Sequence, residues 1–403
     1  MIQSILIVLL LGLLADRLFR ALRLPGLLGM ILVGVAIGPY GLGLLAPGVL
    51  AVSADVRMVA LVVILLRAGL GLEKELLQQV GKQAVTMSAI PCLLEGFTVL
   101  LVSHYVLDLP LVEAGMLGFI LAAVSPAVVV PAMLSLKERG LGMNKGIPII
   151  ILAGSSIDDV FAITLFTAFV GLTSQEGQSL WLQIARIPVQ VIGGVFLGVL
   201  GGWLLYRLYR QDKIHLHGME RLTLVIAAAM ATLVTGERLQ LAGLLGVMTL
   251  GFVLLEKANG IAADLQRSLE RIWFIAQIFL FVLIGAEVNV AVALQAGLVG
   301  LGVVLIGLVG RATGVLIALH GSQLNAKERA FCAIAYTPKA TVQAAIGGIP
   351  LAMGVASGET ILAIAVLAVV LTASLGSVGI YALAPRLLQG PVKAPAPGRA
   401  ELG

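Results

Sequence analysis

Two adjacent aspartates, Asp158 and Asp159, stand in the middle of an apolar run, LAGSSIDDVFAITLFTAF. An ionisable side chain at the centre of a membrane helix costs at least ~2.5–3.5 kcal/mol on insertion scales, so its presence asks for a use. Neighbouring helix positions point about 100° apart, so the two carboxylates share one neighbourhood without sharing a direction. Two like charges in a low dielectric cannot both ionise cheaply, and the pair titrates as one coupled unit. Proton release can then be linked to arrival of a cation. A bare Na⁺ or Li⁺ is a hard ion that prefers oxygen ligands. The carboxylates, the Ser155 or Ser156 hydroxyl and carbonyls freed at a nearby helix break would supply them. The structural alternative is a pair that caps a helix or bonds a neighbouring Arg.

Three more charges lie too deep to be excused by snorkelling: Glu95 in IPCLLEGFTVLL, Arg311 in LIGLVGRATGVL, and Lys339 after Pro338. Glu237, Arg67, Glu73 and Glu287 lie near span ends, where snorkelling is available. A buried Arg cannot discharge, so it needs a carboxylate. We expect Glu95 and Arg311 to pair; Arg311 with Asp158 is the rival arrangement. Lys339 is expected to offset the partial negative charge of half-helix C-terminal ends, with proton carriage as its alternative.

These residues need a membrane around them. The 403-residue chain is 60% hydrophobic and only 12% charged, against about 25% charged in soluble domains. The 48 glycines suit close helix packing in lipid. The formal charge of +5 reads as basic loops rather than nucleic-acid binding. Cys92 and Cys332 lie in apolar runs, and His104, His215, His217 and His320 lack metal spacing. No Gly-Lys-Ser/Thr phosphate loop appears, which argues against ATP as the energy source. The first apolar run is followed, not preceded, by Arg17, Arg20 and Arg23, so we read it as a retained span.

Hydropathy gives an all-α polytopic membrane protein with about thirteen transmembrane helices. They run over 2–19, 25–43, 57–72, 83–106, 111–134, 147–172, 180–208, 220–236, 240–256, 269–290, 294–320, 328–351 and 360–386. Of the 26 Lys and Arg, 20 then fall on one set of alternating loops and three (Arg57, Arg186, Arg238) on the other. That split places the N-terminus outside and the C-terminus in the cytoplasm. The Pro/Gly/Ala-rich tail, 389–403, is expected to be disordered.

A faint repeat adds an architecture. SPAVVVPAM (Ser125 to Met133) in the fifth span is echoed by TPKATVQAA (Thr337 to Ala345) in the twelfth. The end of the third span is likewise echoed at the end of the tenth. The copies lie seven spans apart, so the second is inverted. Inverted repeats with broken helices, here at Pro126 and Pro338, are a secondary-transporter design. The expected break follows each Ser/Thr-Pro.

The strings VSPAVVVPAML, GSSIDDVFAIT, LIGAEVNV and YTPKATVQAAIGG, in this order, resemble the monovalent cation:proton antiporter superfamily. Within it, they are most similar to the solute-carrier 9B-like branch of sodium/hydrogen exchangers, over nearly the whole chain. The resemblance implies an antiporter elevator fold with two crossed broken helices, supported by Pro126, Pro338, Lys339 and Thr337. It implies a homodimer, with a dimerisation domain in two parts (1–82 and 213–292). A core ion-transport domain would likewise have two parts (83–175 and 293–388), with 176–212 as the linker helix. It implies Na⁺(Li⁺)/H⁺ antiport in the cell (inner) membrane, with no cofactor, ATP or nucleic acid. Ion and protons would bind at Asp158 and Asp159, with Ser155 and Ser125 nearby. Many members of the wider family carry Lys where Arg311 stands, paired with the first aspartate. The 9B-like branch has Arg there and a Glu at the position of Glu95, and this chain follows it. Potassium/proton exchange, and in another class a sodium-coupled organic solute symporter, are the alternative functions.

Overall fold

The computed structural model describes residues 1–22, 24–71, 74–173, 180–210 and 217–390. Arg23, Glu73, His215 and the tail from 391 onward lie outside the described residues, as does the side chain of Ser156. All regular structure among the described residues is helical. The helices are α1 (Ile2–Ala21), α2 (Gly26–Ile37), α3 (Pro47–Ala51), α4 (Ser53–Leu70), α5 (Lys74–Val106), α6 (Leu111–Leu121), α7 (Pro126–Glu138), α8 (Ile147–Thr173) and α9 (Leu180–Tyr209). They continue as α10 (Gly218–Arg238), α11 (Gly243–Lys257), α12 (Asn259–Ala286), α13 (Val290–Ala318), α14 (Ala326–Ala335), α15 (Thr341–Ile346), α16 (Ile349–Ala352) and α17 (Gly358–Leu387).

Nine apolar stretches among the described residues are long enough to cross a membrane, and Gly26–Ile37 and Thr341–Ala352 are shorter apolar helices. Length alone therefore does not fix the expected number of thirteen crossings. Two sets of neighbours emerge. α5 packs against α13, α8 and α6, and α17 against α13 and α14. Elsewhere α12 packs against α2 and α4, and α11 against α9 and α4. Close approach needs glycine at both contacts. A Cβ on Gly34 would run into the Val282 carbonyl where α2 meets α12, and one on Gly314 would meet the Pro91 backbone where α13 meets α5.

The fifth expected span is broken into α6 and α7, and the twelfth into α14 and α15. One correction concerns where the break falls. It does not follow Pro126 but precedes it: residues 122–125 leave the helix and Pro126 is the first residue of α7. Proline has no N–H to lose at a first helical position, and its fixed φ suits a helix start. In the second copy, Pro338 lies inside the break, between Ala335 and Thr341.

Candidate functional site

The two breaks cross. The Ser125 amide donates to the Pro338 carbonyl at 2.8 Å, a main-chain bond between the inverted halves. The Ser125 and Thr341 hydroxyls lie 3.4 Å apart. Each break leaves a helix C-terminus with spare carbonyls and a helix N-terminus with spare amides. Gln343, in the first turn of α15, satisfies much of this need. Its amide nitrogen donates to the carbonyls of Ile120 (3.0 Å) and Ala123 (2.8 Å), and its oxygen accepts from the Ala340 amide at 2.8 Å. Two of the carbonyls expected to be free for an ion, those of Ile120 and Ala123, thus each already accept one hydrogen bond from Gln343. Thr372 on α17 accepts from the Lys339 amide at 2.8 Å. Thr337 spends its hydroxyl on the Ile334 carbonyl, closing the end of α14.

Asp158 and Asp159 project from the middle of α8 beside this crossing, and both are buried. The Asp158 carboxylate accepts from the Val124 amide at 2.7 Å, a spare N–H of the first break. It also faces the Arg311 guanidinium, at 3.5 Å from Nη1 and 3.4 Å from Nη2. Arg311 uses its Nε to donate to Glu95. The two sequence alternatives for Arg311 are thus both realised, with Glu95 on one side and Asp158 on the other. A planar fork with five donors permits this division.

Lys339 departs from expectation. Its ammonium is not spent on helix ends but donates to Glu95 Oε2 at 2.6 Å. Glu95, Asp158, Arg311 and Lys339 are each almost wholly buried, and their two negative and two positive charges cancel. Burial of charge on this scale is tolerable only when the charges are paired and hydrogen-bonded. The ring of Tyr336 covers the cluster, its centroid 5.7 Å from the guanidinium carbon of Arg311. Its hydroxyl is buried without a partner, against α8 at Gly154.

Asp159 is different. Its Oδ1 is buried and has no hydrogen-bond partner. Ser155, one turn earlier on the same face of α8, donates to the Leu152 carbonyl at 3.1 Å, which leaves its own lone pairs unspent. The structure therefore divides the twin aspartates into one that is engaged and one that is open.

Beyond Asp159 along α8, a cavity of about 410 Å³ opens between α8, α4, α10, α11 and the α15–α16 segment. Phe166 and Thr167 form its α8 wall, and Arg57, Gln190 and Glu237 supply its polar groups. Arg57 is buried and bound to Glu287 at 2.6 Å, and Ser53 donates to the same carboxylate at 2.7 Å. Glu287 is therefore paired rather than simply snorkelling.

Sequence reasoning missed Gln343, Tyr336 and Thr372. All three are uncharged at neutral pH, so a search for membrane-buried charges passes over them. A lone Gln in the run ATVQAAIGG was the available signal.

The family described as "Sodium/hydrogen exchanger, transmembrane" matches this chain over residues 5–384. Human sodium/hydrogen exchanger 9B2 is 36% identical over 383 residues, covering 91% of this chain and 70% of the relative. Human sodium/hydrogen exchanger 9B1 is 33% identical over 381 residues, covering 91% and 73%. Among solved structures, the sodium proton antiporter MjNhaP1 from Methanocaldococcus jannaschii at pH 8 superposes with a TM-score of 0.75. It is 22% identical and covers 96% of this chain and 98% of that one, a likeness of fold. An all-helical inverted-repeat membrane transporter fold is thereby defined. The chain belongs to the sodium/hydrogen exchanger family, as its sequence strings implied.

Proposed function

We propose that this chain is a secondary-active antiporter that exchanges Na⁺ or Li⁺ for protons by alternating access. Cation and proton compete for Asp159, while Asp158 is its fixed partner. The observation that carries this reading is the contrast between the two carboxylates. Asp158 is held by Val124 and Arg311, whereas Asp159 keeps a buried oxygen with nothing bonded to it. A desolvated carboxylate with a free lone pair, beside the Ser155 hydroxyl, offers a hard cation its first ligands. Ser125, in the crossed breaks, supplies a further hydroxyl in this reading. The relatives' names, sodium/hydrogen exchanger, support the same ion pair of substrates.

Alternating access is supported by the cavity between the two helix sets, which lies on one side of Asp159. In this reading α5–α8 and α13–α17 form the moving core, α1–α4 and α10–α12 the dimerisation part, and α9 the link. The protein acts as a homodimer in the cell membrane, its C-terminus cytoplasmic, with no ATP and no cofactor.

The test uses proteoliposomes carrying an imposed pH gradient. Added Na⁺ or Li⁺ should dissipate the gradient, and Asp159→Asn should abolish the effect. Undiminished exchange by that variant removes the central claim. A response to K⁺ equal to that for Na⁺ changes the ion and leaves the site.

A further inference from the structure

At the membrane end that carries the basic loops, a groove of about 1,230 Å³ lies between the 83–90 stretch of α5, the end of α13 and the start of α14. It is separate from the aspartate site and from the cavity beside it. Its floor is closed by the Thr86 hydroxyl, which donates to the Ala318 carbonyl at 3.3 Å. Leu316 and Ile317 on α13 form an apolar flank and are exposed on the outer surface of the protein. The polar end of the groove carries His320 and Arg329, and no Asp or Glu lines it among the described residues.

Arg329 is held in an unusual way. One terminal nitrogen donates to the Ser322 carbonyl at 3.2 Å, which fixes the guanidinium over the groove. Its Nε is buried and has no partner. The neighbouring carboxylate, Glu328, is turned away from it and bound to Lys145 at 2.8 Å and to the Asn325 amide. An anchored guanidinium, a second basic ring and no competing acid match one kind of ligand: an anion. The exposed apolar flank adds that this anion carries hydrocarbon. Basic pockets between helices at the cytoplasmic face are suited to anionic lipid headgroups.

We propose that this groove is a binding site for one anionic phospholipid, its phosphate on Arg329 and His320 and its acyl chains along Leu316 and Ile317. The lipid would bridge α5, α13 and α14 at the end where the broken helix begins.

Titrating phosphatidylglycerol into the delipidated, detergent-solubilised protein while following its melting temperature tests this. The melting temperature should rise saturably with phosphatidylglycerol, but not with phosphatidylcholine or inorganic phosphate. One basic residue near an anionic surface is worth about a fivefold change in affinity, so Arg329→Gln should move the midpoint about fivefold higher. Arg139→Gln, an exposed Arg on the connection after α7, should leave it unchanged. An unmoved midpoint in Arg329→Gln, an equal shift in Arg139→Gln, or an equal response to phosphatidylcholine or to phosphate alone overturns the proposal. Native mass spectrometry supplies a second readout. The unaltered protein should retain phosphatidylglycerol at energies that strip phosphatidylcholine, and the His320→Asn, Arg329→Gln double variant should not; equal retention by both proteins overturns the proposal.

Discussion

Lys339 reaches from the break between α14 and α15 to the middle of α5, where its ammonium lies 2.6 Å from Glu95 Oε2. That same oxygen also accepts from Arg311. Glu95 therefore holds two cations, Arg311 from α13 and Lys339 from the second break.

Glu95→Gln should be severely destabilising. It strands the buried Lys339 ammonium and leaves Arg311 with Asp158 as its one carboxylate. Removing one partner of a buried ion pair costs about 3–5 kcal/mol. Melting in detergent should fall sharply, and Lys339→Met added to Glu95→Gln should restore part of the loss. A Glu95→Gln protein that melts like the unaltered one would show that the cluster is held some other way.

Asp158→Asn should weaken cation binding without removing the ligand itself. The substitution leaves the cluster with a net positive charge beside Asp159 and releases two Arg311 nitrogens. Unit charges roughly 5 Å apart interact by about 3 kcal/mol at an effective dielectric of about 20, so a tenfold rise in apparent KM for Na⁺ is a low estimate. Measured exchange should show that rise while Asp159→Asn shows none to measure. Identical loss in both variants would make the aspartates a single unit again.

Exchange should be electroneutral. Arg311 and Lys339 already offset Glu95 and Asp158, so one carboxylate remains to trade one proton for one cation. Clamping the membrane voltage of proteoliposomes with valinomycin and potassium should then leave the initial rate unchanged. A rate that follows the imposed voltage would mean that a second group of the cluster titrates during the cycle.

Gln343→Ala should loosen the crossing. It frees the Ile120 and Ala123 carbonyls and the Ala340 amide together. Each buried polar group left unpaired costs about 1–3 kcal/mol. The expected result is a loss of at least about 2 kcal/mol in stability, read as a lower melting temperature. An unchanged melting temperature would place those carbonyls in contact with water.

Much of this site can be read in the sequence because charge is conspicuous in lipid. Asp158, Asp159, Glu95, Arg311 and Lys339 each stand out against their apolar surroundings, and the repeat around Pro126 and Pro338 locates the breaks. Partnership is harder to read. Arg311 has two carboxylates within reach, and only its position between α5 and α8 shows that it serves both. Lys339 and Glu95 are far apart in the chain, and their meeting depends on where the second break aims a long side chain. Gln343 and Tyr336 carry no charge to betray them. The edge of the first break is set by which residue can best begin a helix, so Pro126 opens α7 rather than ending α6.

The bond from the Ser125 amide to the Pro338 carbonyl involves no side chain. Apart from a proline at 125, substitution cannot delete it, and Gln343 sews the same two strands of chain a second time. The crossing is therefore a seam and not a hinge. If exchange carries Asp159 across the membrane as proposed, both half-helix pairs would travel as one piece, with the bending where these elements join the rest of the chain.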